Sequence, residues 1–199
     1  KDEQFYTISE NVIFENVNNA IKLSTEEILF KISNNTIETI GDTKIEVDNN
    51  YFFNTSNILY DLNSKKISSK NKSFIQDLQS NKIEINEFVL YLEENVLKTN
   101  DAIIVDKNFN QYELKNLFFD LKKNRILGKD IAINQNNKLS TERYLPRAKG
   151  RSLILENENM TLKKGVYTNC KKRDGCPPWS IQAEEVQHDK KNKIVKYKN

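Results

Sequence analysis

The chain has 199 residues, of which 37% are hydrophobic and 30% charged, a balance that favours thin sheets with one wetted face over a thick core. Lys and Arg number 31 against 28 Asp and Glu, a net charge of +3, and without a basic stripe interleaved with aromatics there is no case for nucleic acid as a partner. No apolar run reaches the length of a membrane-spanning helix, and Lys1 in place of a starting Met leads us to expect a segment removed before it.

In chain order, residues 1 to 9 read as a loose lead-in or an edge strand. Val12-Ile13-Phe14 opens a meander, an Asn-rich turn follows at 16 to 19, and Ala20-Ile21-Lys22-Leu23 continues it. Glu26 to Phe30 has helical local propensity, but its later equivalents are plainly strand-like. Ile28-Leu29-Phe30-Lys31-Ile32 returns as Ile58-Leu59-Tyr60-Asp61-Leu62, as Phe88-Val89-Leu90-Tyr91-Leu92 and as Leu117-Phe118-Phe119-Asp120-Leu121, at spacings of 30, 30 and 29. A fixed period of this size marks a repeat architecture. The first, third and fifth positions of each copy are apolar, the period-two signature of a strand with one buried face.

Turns rich in Asn, Ser and Lys recur at half that period, centred near Asn34, Asn49, Ser64, Ser80, Glu94, Asn108, Lys123 and Asn136. These residues suit reversals through side-chain bonds to the backbone and tolerance of left-handed geometry. The arms between turns are about a dozen residues, long for single strands, and most carry a polar or small break at mid-length, as at Gly41-Asp42, Thr55-Ser56-Asn57 and Gly128-Lys129. We therefore expect an all-β fold: an antiparallel meander folded lengthwise into an open V-shaped β-jellyroll, each arm turning its apolar face inward. No proline interrupts residues 1 to 145, which suits consecutive hydrogen-bonded strands.

Pro146 falls where the period breaks, so we expect a repetitive jellyroll over 1–145 and a distinct, cysteine-containing end over 146–199. That end begins with Leu145-Pro146-Arg147-Ala148-Lys149-Gly150-Arg151 and includes Tyr167-Thr168-Asn169-Cys170, a charged loop holding Lys171, Lys172 and Arg173, and Gly175-Cys176-Pro177-Pro178-Trp179. His188-Asp189 to Ile194 echoes Phe119-Asp120 to Ile126, so the meander is expected to continue to Asn199 and into a longer protein.

Tyr167-Thr168-x-Cys170, Pro177-Pro178-Trp179-x-Ile181, Ala183, Val186 and His188-Asp189, preceded by Arg147-x-Lys149-Gly150-Arg151, resemble the junction region of the LptD (OstA) family of lipopolysaccharide-assembly proteins, in a style most like its alphaproteobacterial members. The meander upstream resembles that family's periplasmic jellyroll, so the likeness covers nearly the whole chain; its terminal motif is the specific part. The resemblance implies a domain on the periplasmic side of the Gram-negative outer membrane, followed by a large β-barrel. It implies that the jellyroll receives lipopolysaccharide from an LptA-like bridge of similar jellyrolls, shields the acyl chains in an apolar groove and passes the lipid to a barrel plugged by an LptE-like lipoprotein. Such a protein is a transporter, with no bond-making chemistry, cofactor or metal.

The expected lipid-binding residues are Ile28, Phe30 and Ile32; Ile58, Tyr60 and Leu62; Phe88, Leu90 and Leu92; and Leu117, Phe119 and Leu121. Their branched and aromatic shapes can cover acyl chains without directional bonds. The stretch Phe5 to Phe14 is the candidate edge for the bridge protein, since unpaired backbone groups accept another strand. Cys170 and Cys176 admit a local disulfide, favoured in an oxidising periplasm; a bond from Cys170 to a barrel cysteine, as the family implies; or a zinc site with His188, whose spacing fits no recognised arrangement. As the only histidine, His188 also leaves little room for Ser-His or Cys-His catalysis. Trp179 is expected to pack the junction. Two other readings stand beside this one: a free-standing periplasmic lipopolysaccharide bridge of the same fold, and a β-solenoid that binds or cleaves polysaccharide, which would require paired carboxylates along a groove.

Overall fold

Arm length is set at the turns, and the turns are built by carboxylates. Asp61 accepts hydrogen bonds from the backbone amides of Asn63 and Ser64 at 2.9 and 3.1 Å and from Ser64 Oγ at 2.6 Å. Asp77 and Asp106 repeat the device, each accepting from two amides further along its turn and from the side-chain amide of Asn81 or Asn110. Left-handed residues complete the reversals, among them Asn35, Asn49, Lys65, Asn95 and Asn124, and Asn is one of the residues for which that region costs least. The expected turn centres from Asn34 to Lys123 all fall in or beside observed reversals; Asn136 lies outside the described residues.

The computed structural model describes residues 4–135, 146–157, 159–170, 179–189, 191–192 and 194–199. It is all-β and antiparallel, with one short 3-10 turn at Val17–Asn19. The chain forms two compact units, Lys1–Asn100 and Asp101–Asn199, so the change expected at Pro146 falls inside the second.

The first unit contains β1 (Phe5–Asn16), β2 (Ile21–Lys31), β3 (Thr36–Val47), β4 (Tyr51–Ser56), β5 (Leu59–Asp61), β6 (Lys66–Ser69), β7 (Ser73–Asp77), β8 (Lys82–Ile85) and β9 (Phe88–Tyr91). Strand β10 (Val96–Val105) spans the division. The second unit continues with β11 (Gln111–Asp120), β12 (Arg125–Asn134), β13 (Arg147–Glu156), β14 (Asn159–Thr168), β15 (Ile181–Asp189) and β16 (Ile194–Lys198), each paired with its neighbour in sequence.

The expected long arms are real, and most are creased at mid-length. In the first unit β4 with β5, β6 with β7 and β8 with β9 are single arms broken at the crease, while β3 runs through it. The Asp42–Val47 half of β3 pairs with β4, and its Thr36–Glu38 part pairs with β5. One leaf is therefore β4, β7 and β8 and the other β5, β6 and β9, with β3 contributing to both. Both leaves also neighbour β10, so the pairings close into an eight-strand circuit, β3-β4-β7-β8-β10-β9-β6-β5. The antiparallel meander creased into two leaves is as expected, and the circuit arises because three arms lose their pairing at the crease while β3 and β10 do not, so each leaf meets those two strands.

Creases are made by left-handed residues and bulges. Gly41 has φ +83° in mid-β3 and an unencumbered Cα, a conformation that only glycine adopts without strain. Asn57, Asn116, Asp130 and Lys164 occupy the corresponding places in their arms with φ of 47 to 50°, and the β1–β2 register slips between Ser9 and Val12. In most arms the buried face consequently changes parity: 51, 53 and 55 are followed by 58 and 60, and 112 and 114 by 117 and 119.

Turns stack along one margin of the first unit, which explains the period of two arms. Asn35 Nδ2 donates to Asn63 Oδ1 at 2.8 Å, and Asn63 Nδ2 to the carbonyl of Asn34. The Leu62 amide reaches the Asn35 carbonyl and the Leu92 amide that of Lys65.

In the second unit a Cβ at Gly150 of β13 would stand 2.3 Å from Leu162 Cδ1 and 2.7 Å from Leu162 Cγ. Because Leu162 is buried, it has little room to yield. Gly150→Ala is expected to destabilise the protein by about 1–3 kcal/mol, measured as a lower urea midpoint at unchanged slope. For the turns, the Ser64 hydroxyl, then the Ser64 amide, hold the Asp61 carboxyl below its ordinary value. Its contribution is present above the unfolded-state pKa near 4 and is lost as pH falls through the lower folded value. Ser64→Ala should raise the Asp61 midpoint in a carboxyl NMR titration.

Candidate functional site

The residues expected to face inward do so with three differences. Ile28, Ile58, Tyr60, Phe88, Leu90 and Leu92 in the first unit are buried, as are Leu117, Phe119 and Leu121 in the second. Phe30 and Leu62, at the turn ends of their arms, are half-buried. Ile32 is 41% exposed: β2 ends at Lys31, so this residue belongs to the turn and not to the interior. Side chains at 0–4% exposure do not line an open trough; they fill a packed interior.

All four recognised copies begin at the crease and lie on one half of every second arm, so the other halves and the intervening arms were missed. Leu23, Ile45, Phe53, Ile75, Ile85 and Leu97 are as deeply buried as the expected set. The signal was available: apolar alternation resumes beyond the polar break, displaced by one residue.

Among the described residues, two ring contacts and a hydrogen bond join the leaves of the first unit across its interior. Phe53 of β4 faces Phe88 of β9 with ring centroids 5.6 Å apart. Near the turn margins, Phe14 meets Tyr60 edge-on at 6.0 Å, and Asn16 Nδ2 donates to Tyr60 Oη at 2.9 Å. Registry places Asn16 in the β4 leaf, through Ile21, Val47 and Tyr51, whereas Tyr60 belongs to β5. Burial pushes the Tyr60 phenol above its ordinary pKa, and the Asn16 bond offsets part of that effect.

Among the described residues, the buried polar side chains are all Thr or Ser, and in the first unit most follow the crease. Thr39 and Thr43 hydroxyls lie 2.7 Å apart, as do those of Thr55 and Ser73. Thr25 donates to the carbonyls of Ile40 and Asp42, Ser69 to that of Ser56, and Thr39 accepts from the Ile58 amide at 3.0 Å. These hydroxyls replace ladder bonds lost where the arms bend, leaving an interior that is apolar with a hydroxyl seam along its floor. Its chemistry suits dispersion contacts with an apolar guest, not proton transfer.

In the second unit, Tyr112 donates to Asp106 at 3.1 Å. Burial, reinforced by the Asp106 charge, raises its pKa far beyond the usual phenol range. The terminal motif converges around the end of β14: Thr168 Oγ1 donates to the Trp179 carbonyl at 2.8 Å, the Tyr167 and Trp179 rings lie 6.2 Å apart, and Arg147 donates to the Cys170 carbonyl. Trp179 thus packs on the motif while remaining half exposed. Cys170 is buried and carries no disulfide among the described residues; Cys176, Lys171, Lys172 and Arg173 lie outside them. The zinc alternative is corrected, because His188 stands opposite Met160 at one end of β14 whereas Cys170 follows the other, roughly 25 Å away at strand rise.

No protein-family model matches the chain, and no curated protein matches its sequence. The case for a function therefore rests on the interior and the edges.

Among the described residues both terminal strands have a free side. β1 pairs only with β2 and exposes Phe5, Tyr6, Ile8 and Ile13; β16 pairs only with β15 and exposes Ile194, Val195 and Tyr197. Beside the end of β1 a cleft of about 350 Å³ is lined by Glu15, Asn16, Val17 and Lys22, among others.

Leu90→Ala should cost about 2–5 kcal/mol through the cavity it leaves, whereas Ile32→Ala should stay within about 0.5 kcal/mol. Equal losses in urea unfolding would contradict the assignment of Leu90 to the interior and Ile32 to the turn.

Proposed function

We propose that this chain is the lipid-receiving jellyroll of a lipopolysaccharide inserter resembling the LptD family, acting on the periplasmic side of the outer membrane. The observation that carries the reading is an interior of bulky apolar side chains, in which the polar residues among the described buried ones are Thr and Ser, repeated arm after arm. The terminal motif from Tyr167 to Asp189 supplies the choice of lipopolysaccharide among lipids. Each methylene buried in such an interior gains roughly 0.8 kcal/mol, so a lipid with several acyl chains is held strongly without directional bonds. Hydroxyls along the crease suit the transition from acyl chain to ester and amide groups.

On this reading the free side of β1 accepts an edge strand of an LptA-like bridge protein, whose backbone groups pair with those left open along Phe5 to Phe14. Lipid then passes onward to a barrel occupied by an LptE-like lipoprotein. No step makes or breaks a covalent bond in the lipid.

Photocrosslinking phenylalanine placed at Phe30 and at Leu62, the half-buried interior positions, should form adducts with purified lipopolysaccharide. The same probe at Phe52, on the outer face, should not. Labelling at Phe52 as strong as at Phe30, or none at any position in folded protein, would overturn the assignment.

A further inference from the structure

Every ladder in the first unit joins arms that are consecutive along the chain. No ladder among the described residues ties the turn margin of one leaf to that of the other. Side chains hold the leaves together instead: the Phe53–Phe88 ring contact nearer the crease, and the Phe14–Tyr60 ring contact and Asn16–Tyr60 hydrogen bond nearer the turns. Along the opposite side they are joined by the crease, where buried hydroxyls bond to one another and to carbonyls outside the ladders.

We infer that the first unit is a hinged clasp: its two leaves turn about the hydroxyl seam, and the Asn16–Tyr60 bond is the latch that holds them shut. Three observations meet in this assignment. The pivot positions are tolerant of rotation, since Gly41 and Asn57 already adopt left-handed backbone and a hydroxyl can swing between neighbouring acceptors without losing its bond. The latch lies away from the crease, with Asn16 beside the turn that ends β1 and Tyr60 two residues before the Leu62–Lys65 turn. Opening breaks no β-ladder, so it exposes interior side chains while the strands persist. Parting the leaves would bring Leu90, Phe88 and Phe53, otherwise sealed at 0–2% exposure, into reach of a guest. The guest's identity rests on the lipid-binding role proposed above; the hinge does not.

The test uses the whole chain with Tyr60→Phe, which removes only the latch hydroxyl, and Asn16→Ala, which removes the donor from the other leaf. Uptake of an uncharged apolar fluorophore, N-phenyl-1-naphthylamine, reports opening, and amide hydrogen exchange in β4, β6 and β9 reports the ladders. Loss of one hydrogen bond of ordinary net strength should raise the open population, and with it fluorophore uptake, roughly fivefold, with ladder exchange unchanged. Unchanged uptake in both variants overturns the latch. Uptake that rises only in step with ladder exchange overturns the hinge, since the strands are then unravelling. Lipopolysaccharide capture by the same variants separates the two claims: fluorophore uptake without capture sustains the clasp and refutes the ligand.

Discussion

An antiparallel arm of a dozen residues that serves two leaves must bend, and at the bend its backbone groups lose their ladder partners. Buried groups left unpaired cost about 1–3 kcal/mol each, so this loss, repeated in the three arms of the first unit that break at the crease, would be prohibitive. The chain meets it with Thr and Ser. Thr25 reaches the carbonyls of Ile40 and Asp42, Ser69 reaches Ser56, and Thr39 receives the Ile58 amide. A hydroxyl is the shortest side-chain group that can both donate and accept there without carrying a charge into the interior. The seam thus accounts at once for the bend and for the absence of charge among the described buried residues.

The same constraint explains what could be read from the amino acids and what could not. Turns were legible because their chemistry is local: Asp61, Asp77 and Asp106 bond amides two to four residues ahead, and Asn35, Asn95 and Asn124 adopt left-handed backbone with little strain. The apolar positions from Ile58 to Leu62 were legible because alternation holds within half an arm. Their counterparts at Phe53 and Ile85 were not, because one residue inserted at the crease reverses which parity faces inward, and period-two reasoning carries no memory across that slip. Ile32 was misplaced for a related reason: it keeps the parity of Ile28 and Phe30, but the strand has ended before it.

Non-local facts were the hardest to foresee. Sequence spacing suggested an open V; that β3 and β10 would run unbroken through the crease and close a circuit with both leaves depends on pairings tens of residues apart. The hydrogen bond between Asn16 and Tyr60 spans 44 positions, and Asn16 had seemed only one of several turn asparagines. By contrast Tyr167, Thr168, Cys170 and Trp179 were singled out together as a motif, and their convergence at the end of β14 gives that motif a physical basis: a hydroxyl-to-carbonyl bond and a ring pair fix the chain as it returns toward β15.

A packed interior and a lipid-binding role are compatible only if the guest returns more than the packing it displaces. Across the leaves the described ring contacts are Phe53 with Phe88 and Phe14 with Tyr60, each worth about 0.5–1.5 kcal/mol beyond simple burial, and one hydrogen bond contributes about 1 kcal/mol. An acyl chain of about twelve methylenes gains roughly 10 kcal/mol on leaving water, several times the cross-leaf attraction it interrupts. The side chains it separates remain covered, by lipid instead of by one another, so their burial is exchanged and not lost. The balance also runs in the other direction. Without a guest the leaves close, because parted leaves would wet Leu90, Ile67 and Phe53 together, and exposing even one such side chain costs about 1.5–3 kcal/mol. A closed, filled interior in the empty protein is therefore what a lipid carrier of this construction requires to remain soluble between guests.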